Sequence, residues 1–219
     1  CWIVEEGNAL TGIDASGLEL RMLAHYMNDA AYTKQLLEGD IHTYNQHAAG
    51  LETRDQSKTF IYALIYGGGF AKIGQIAGGS PRKGKQLVDK FMANLPAYAR
   101  LKEVVLQSMR KRGTLRGLDG RRLRVESEHS ALNFLLQSAG AIVMKKALVL
   151  LKHSLDESGV WYKFVANVHD EWQIESSSSD ADLVGRLGVQ AIVDAGLHFE
   201  MNCPLDGDYN VGLTWADTH

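Results

Sequence analysis

The chain has little of what locks or interrupts small folds: 219 residues hold two cysteines and three prolines. Cys1 and Cys203 cannot build a disulfide framework or a cysteine-rich zinc site, and this usage suits a reducing, cytosolic setting. No long uninterrupted apolar run exists. The nearest, residues 139–151, is broken by Lys145 and Lys146, so no membrane span or membrane partner is expected. No signal-peptide pattern is visible, and there is no internal repeat. Nor does one sign of charge dominate: 23 basic and 26 acidic residues leave −3, so whole-chain charge does not announce a nucleic-acid binder. What is present is ordinary for a globular protein, with 45% hydrophobic and 22% charged residues. That excludes disordered, collagenous and coiled-coil chains. It leaves one large domain or two small ones, with enough chain for a substantial core. The chain begins with Cys, so it reads as processed or as the C-terminal piece of something longer.

Residues 8–13 read as a strand ending at Asp14, with Asp14 or Ser16 able to cap a helix over 18–27. A polar stretch containing Gly39, Asp40 and His42 leads to a helix over 53–66, stopped by Gly67, Gly68 and Gly69. Helical sequence returns over 84–94 and 97–112, separated by Pro96. Residues 114–125 predict a hairpin turning at Asp119-Gly120. A long helix is expected over 130–155, then two strands over 160–174 with a tight turn at His169-Asp170-Glu171. A helix over 180–197 and a strand over 205–213 finish the chain. Helices dominate and the few strands lie far apart, which predicts an α+β fold: a small sheet covered by helices.

Charge is uneven along the chain. Residues 100–124 hold nine basic and two acidic residues, a local excess of seven that leaves the remainder at −10. This is either a phosphate-backbone surface or a solvated charged face. Asp14 ends an apolar strand, and Asp170 and Glu171 sit in a tight turn. Each alone is as readily a cap or a turn former. Together, two strand-end carboxylates would suit hard divalent cations, which take carboxylate, water and phosphate oxygens and stabilise in-line displacement at phosphorus. Arg54, Lys58, Tyr62 and Tyr66 recur every fourth residue, forming one slowly turning helical stripe. From Arg54 to Tyr62 the rise is about 12 Å, enough to put cations on a triphosphate and a ring near a base or sugar. The alternative is an exposed basic end running into a buried tyrosine stripe.

Asp14-Ala15-Ser16-Gly17-Leu18-Glu19-Leu20-Arg21 resembles motif A of the family A (DNA polymerase I-like) DNA polymerases. Arg54-x3-Lys58-x7-Tyr66-Gly67 resembles their motif B, and Val168-His169-Asp170-Glu171 their motif C. The three stand in the family's order. Residues 39–43 and 136–140 are similar to family segments between them, and residues 212–219 to the end of phage-type members. The resemblance implies a small, mostly antiparallel palm sheet with a helical fingers subdomain. Residues 1–50 would be a palm strand and following helices, 51–113 the fingers, and 114–219 the palm with the catalytic hairpin.

The resemblance further implies template-directed DNA synthesis, in which a primer 3′-hydroxyl attacks the α-phosphate of a dNTP. Asp14, Asp170 and the Ala15 carbonyl would hold two Mg²⁺ ions, with Mn²⁺ a possible substitute, and Glu171 would lie close to them. His42, Arg54 and Lys58 would contact the triphosphate, and Lys58 would give a proton to the leaving pyrophosphate. Tyr62 would stack near the incoming nucleotide, and a Tyr there implies tolerance of dideoxynucleotides. Glu19 would be a steric gate against ribose. Tyr66 and Gly67 would shape the template-base pocket. Asn133 and Gln137 would read the minor groove, where acceptors on every pair report pair geometry. His169 would approach the primer terminus, and Arg121 and His129 the DNA backbone. Primer-template DNA and dNTP are then the partners, in the cytoplasm of a bacterial host if the chain is phage-encoded.

The chain departs from the family pattern at its start. It opens about a dozen residues before Asp14, with no thumb and no Thr-Gly-Arg or Pro-Asn-x-Gln-Asn stretch. It also contains no nuclease region. The expected further partner is an N-terminal polymerase fragment carrying the thumb, with or without an exonuclease. Cys1 is compatible with a protein-splicing junction. Three rival readings remain at this level. One is a single-subunit RNA polymerase, against which Glu19 and Tyr62 speak. Another is a metal-dependent phosphohydrolase, which His25, His42 and His47 do not obviously furnish with ligands. The third is an inactive DNA-binding polymerase fragment.

Overall fold

A computed structural model describes residues 3–219. Cys1, compatible by sequence with a splicing nucleophile, lies outside the described residues. In chain order the elements are β1 (Asn8–Ala15), α1 (Leu18–Met27), α2 (Ala30–Glu38), α3 (Ile41–Ala49), α4 (Arg54–Ile65), α5 (Phe70–Ile76), α6 (Pro81–Asn94) and α7 (Pro96–Arg112). They continue with β2 (Thr114–Arg116), β3 (Arg122–Arg124), α8 (Ala131–Ser158), β4 (Tyr162–Val168), β5 (Glu171–Ser177), α9 (Ala181–His198), β6 (Gly207–Gly212) and α10 (Trp215–Thr218). Helix occupies 59% and strand 17% of the described residues, the expected α+β mixture. Contacts divide it into two compact units, residues 1–21 with 139–219, and residues 22–138. Both boundaries fall inside helices, α1 and α8. The subdomain limits expected from sequence, after residues 50 and 113, are drawn by motif rather than by contact.

The first unit holds a four-stranded antiparallel sheet in the order β4-β5-β1-β6. Alternation along β1 gives the sheet two unlike faces. Ala9, Thr11 and Ile13, with Trp172 and Ile174 beside them on β5, form a buried apolar face. Helix α9 packs here through small residues. Gly188 lies on Ile13, and Gly185 on the Tyr209 ring. A Thr11 hydroxyl donates to the Ala181 carbonyl at 3.2 Å. The other face carries the buried Leu10 and turns polar toward the C-terminal end of β1. Asp14 lies directly opposite Glu171 on β5 and Asp208 on β6, and Gly12 lies opposite Gln173 and Asn210. Helix α8 is long and apolar enough by composition to cross a bilayer. Its inner residues Val143, Ala147, Leu151 and Leu155 are nevertheless buried in protein, as in a globular core helix.

The second unit is helical, with the β2-β3 hairpin attached. Its helices start on strong caps. Asp29 accepts from the Tyr32 amide at 2.9 Å, Ser80 accepts from that of Lys83, and Thr53 forms a capping box with Gln56. Pro81 and Pro96 open α6 and α7, where a missing amide hydrogen does no harm. Phe60, Phe91 and Tyr98 meet edge to face at centroid distances of 5.5 and 5.3 Å.

Three local expectations change. Residues 30–38 and 41–49, read as a polar stretch, are helices α2 and α3. The caps Asp29 and Asp40 start them, and they bury few side chains, so their apolar period is faint. The glycine triplet ends α4, but α5 begins immediately after Gly69. Asp14 is a strand residue rather than a cap, and the Ser16 hydroxyl donates to Asp208 at 3.0 Å instead of capping α1.

Candidate active site

In the first unit the sequence builds an acidic hairpin. Val168 and Glu171 close a two-residue turn made by His169 and Asp170. His169 sits at φ +54°, a left-handed conformation uncommon outside glycine and therefore a strained corner. The Ala15 amide donates to the Asp170 carbonyl at 3.1 Å, which stitches the turn to the end of β1. Asp14 and Asp170 are thereby held at one end of the sheet, beside Glu171 and Asp208. Partial burial, then the charges of Asp170, Glu171 and Asp208, push the Asp14 carboxyl up to about 6, against a smaller pull from His219. Asp170 is also raised, first by burial, with the charges of Glu19 and Glu171 adding to it. A cation would relieve this crowding, and carboxylate oxygens are the donors hard divalent ions prefer, so the residues fit such an ion. Among the described residues no three His, Cys, Asp or Glu side chains converge as a complete cage.

Glu171 is placed differently. It is 6% exposed. Its Oε1 accepts from Gln173 Nε2 and, at 3.0 Å, from Trp215 Nε1, while its Oε2 lies 2.7 Å from His219 Nδ1. Glu19 is in the first turn of α1, and its charge acts on Asp170.

In the second unit α4 presents the basic stripe. Arg54 opens the helix, and its Nε donates to Asp40 at 2.7 Å. That carboxylate also caps α3 at His42 and Thr43, and these bonds hold its pKa well below the usual range. Lys58 is exposed and, among the described residues, makes no ion pair. The pKa of His42 is lowered, first by burial and then by the Arg54 charge, and its Nδ1 is buried without a partner. Tyr62 and Tyr66 stack at 6.4 Å with planes 24° apart. The Tyr66 hydroxyl accepts from Gln137 Nε2 at 3.5 Å. Gly67 sits at φ +73° with the His129 carbonyl where a Cβ would go. Asn133 lies one turn before Gln137 on α8, and its Oδ1 is also buried without a partner. Arg121 is engaged within its own turn, bound to Asp119.

Within the first unit, then, Asp14, Ala15, Glu19, His169, Asp170 and Glu171 come together. Within the second, His42, Arg54 and Lys58 form one group, while Tyr66, Gly67, His129 and Gln137 form another. Sequence reasoning missed Asp208, Asp40 as the partner of Arg54, and the donors on Glu171. Asp208 is 194 residues from Asp14 and is revealed only by strand register.

The family model described as DNA polymerase family A matches residues 1–217. A DNA-directed DNA polymerase of Enterobacteria phage T3 is 41% identical, with 95% of this chain covered and 33% of that protein. One from Escherichia phage T7 is 42% identical with the same coverage. The chain thus spans about a third of the length of these relatives. Among solved structures, the POL domain of Pol1 from M. smegmatis, in complex with DNA primer-template and dNTP, superposes with a TM-score of 0.87. Its identity is 22%, and the match covers 97% of this chain and 41% of that one, a likeness of fold. With the family's motifs in order and the family model matching almost end to end, the chain belongs to DNA polymerase family A.

Proposed function

We propose that this chain carries out template-directed DNA synthesis, transferring a nucleotidyl group from a dNTP to a primer 3′-hydroxyl, together with an N-terminal thumb-bearing part. The observation that carries the reading is the hairpin stitched to β1, which crowds Asp14 against Asp170, Glu171 and Asp208 and lifts its pKa to about 6. Such crowding is costly unless a cation offsets it. Family A polymerases are metal-dependent. Asp14, Asp170 and the Ala15 carbonyl would hold the ions, which we take to be two Mg²⁺. Bound there, they neutralise charge on the phosphates and acidify the 3′-hydroxyl.

The chain's own residues do the rest. The 3′-oxygen bonds to the α-phosphorus, the bond to the pyrophosphate oxygen breaks, and the hydroxyl proton is lost to solvent. Lys58, exposed on α4, binds the leaving phosphates and returns a proton to them. Arg54 binds phosphate oxygens. Its pair with Asp40 is solvent-exposed, so exchanging that partner costs little. His42 contributes a hydrogen bond to the triphosphate. Tyr62 stacks near the incoming sugar and base, and Glu19 packs against C2′ and excludes a ribose hydroxyl. Tyr66 and Gly67 shape the template-base pocket, and Asn133 and Gln137 check pair geometry in the minor groove. His169 approaches the primer terminus, and His129 and Arg121 contact the DNA backbone, Arg121 after leaving Asp119.

The test is single-nucleotide primer extension with Mg²⁺, with and without an N-terminal thumb-bearing fragment. Incorporation that is abolished by Asp170→Asn is the expected result. DNA binding without incorporation in the assembled enzyme would instead support an inactive binding fragment. Phosphate release without a primer would support a phosphohydrolase.

A further inference from the structure

We propose that residues 214–219 hold Glu171 out of the cation's ligand set, which makes Trp215 and His219 positioning residues of the carboxylate site. The inference rests on the nucleotidyl-transfer reading and adds to it a part of the chain with no assigned role.

Glu171 has the opportunity to be a third ligand. It lies directly opposite Asp14 on the same face of the sheet, where cross-strand side chains are neighbours. Yet its two oxygens are turned to other partners. Oε1 takes hydrogens from Gln173 and Trp215, and Oε2 takes one from His219 at 2.7 Å. The holding group is itself held. Gln173 Oε1 accepts from the Thr218 hydroxyl at 2.9 Å, which fixes the amide in the orientation that donates to Glu171. Thr214 and Asp217 close a capping box at the start of the tail helix. The tail lies down on β1 because position 12 is glycine. A Cβ there would stand 2.5 Å from the Thr218 carbonyl oxygen.

A buried carboxylate needs such donors in any case. Their direction is the informative part. Two of the three come from the tail and the third, Gln173, is oriented by it, and no three-ligand cage forms among the described residues although four acids lie at this end of the sheet. Mg²⁺ in phosphoryl-transfer sites keeps one or two carboxylates and leaves positions for water and phosphate. A third carboxylate would bind the ion more tightly and occupy a position the triphosphate needs.

The experiment is Mn²⁺ titration calorimetry on the 219-residue chain without DNA or nucleotide, at fixed pH. Trp215→Phe keeps the ring and loses the N–H, and His219→Ala changes a side chain 72% exposed, so neither threatens folding. The double variant is expected to bind Mn²⁺ on the order of tenfold more tightly, and His219→Ala alone by less. In a Glu171→Gln background the gain disappears. In primer extension by the assembled enzyme, the double variant raises KM for dNTP more than it lowers kcat, because Glu171 then competes with the triphosphate for the ion. Ala216→Ser, exposed on the same helix, leaves Mn²⁺ binding as in the unaltered chain. Unchanged or weaker Mn²⁺ binding in both tail variants overturns the proposal, as does a gain that persists with Glu171→Gln. Failure of the unaltered enzyme to extend a primer would sink the polymerase reading instead, and the Mn²⁺ comparison would still decide the role of the tail.

Discussion

Gly67 and Gly69 belong to the same triplet but should respond very differently to alanine. Gly67 sits at φ +73°, and an added Cβ would stand 2.3 Å from the His129 carbonyl oxygen. The left-handed conformation costs a non-glycine residue about 1–2 kcal/mol. The overlap is with backbone, which cannot rotate away, and adds roughly 1–3 kcal/mol. Gly67→Ala should therefore destabilise the chain by about 2–5 kcal/mol. For a protein of this size that lowers Tm by roughly 5–15 °C. Gly69 has φ −68° and nothing within 4 Å of its absent Cβ. There, alanine restricts the unfolded chain, a gain of about 0.4–1 kcal/mol. It is also a poorer N-cap for α5 than glycine, which offsets much of that gain. The net change for Gly69→Ala should stay within about 0.5 kcal/mol of zero. Urea unfolding followed by circular dichroism reads both variants. Two similar curves, or a Gly67→Ala curve unshifted from the parent, would refute the assignment of the close approach to Gly67.

Three further outcomes follow from the sites. Lys58→Ala should cut single-nucleotide incorporation by at least about a hundredfold, as loss of a charge-stabilising group does, while primer-template affinity by fluorescence anisotropy hardly moves; an equal loss of binding would remove its assigned role. Glu19→Ala should ease rNTP incorporation, read as the ratio of kcat/KM for dNTP and rNTP, and unchanged sugar selectivity would refute the gate. The raised carboxyl of Asp14 binds its proton more tightly in the folded chain than in the unfolded one, so metal-free stability falls as pH rises from about 4 through about 6 and stays low above. Asp14→Asn should remove that penalty, stabilising the metal-free chain at pH 8 by roughly 1–2 kcal/mol once solvent screening of this exposed group is allowed for; a variant no more stable than its parent in EDTA would contradict the crowding.

Much of the acidic hairpin was legible because its signals are local. An apolar strand ending in Asp14, two strands around a His-Asp-Glu turn, and a helix stopped by glycines all appear where their side-chain periods and turn residues put them. The stripe from Arg54 to Tyr62 lies on α4 as its spacing requires, with Tyr66 just past the last helical residue as its C-cap. What stayed hidden is long-range or weakly amphipathic. Helices α2 and α3 rest on single capping aspartates and bury few residues, so composition alone resembled a connector. Asp208 joins Asp14 only through the β1-β6 register, and Trp215 and His219 reach Glu171 across more than forty residues. No periodicity within a short window carries such pairings.

The two unlike faces of β1 have a consequence for how this chain tolerates insertions and deletions. Ala9, Thr11 and Ile13 serve the core, while Gly12 and Asp14 serve the tail and the acids, and the two sets alternate one by one. Gaining or losing a single residue within β1 would exchange them, driving Asp14 into the apolar layer and Ile13 among the carboxylates. Substitutions along this strand act one position at a time, but a one-residue length change there should abolish folding and chemistry together. In a library of single-codon deletions, residues 8–15 should therefore form an empty gap, bounded on its N-terminal side by the exposed Glu5 and Glu6.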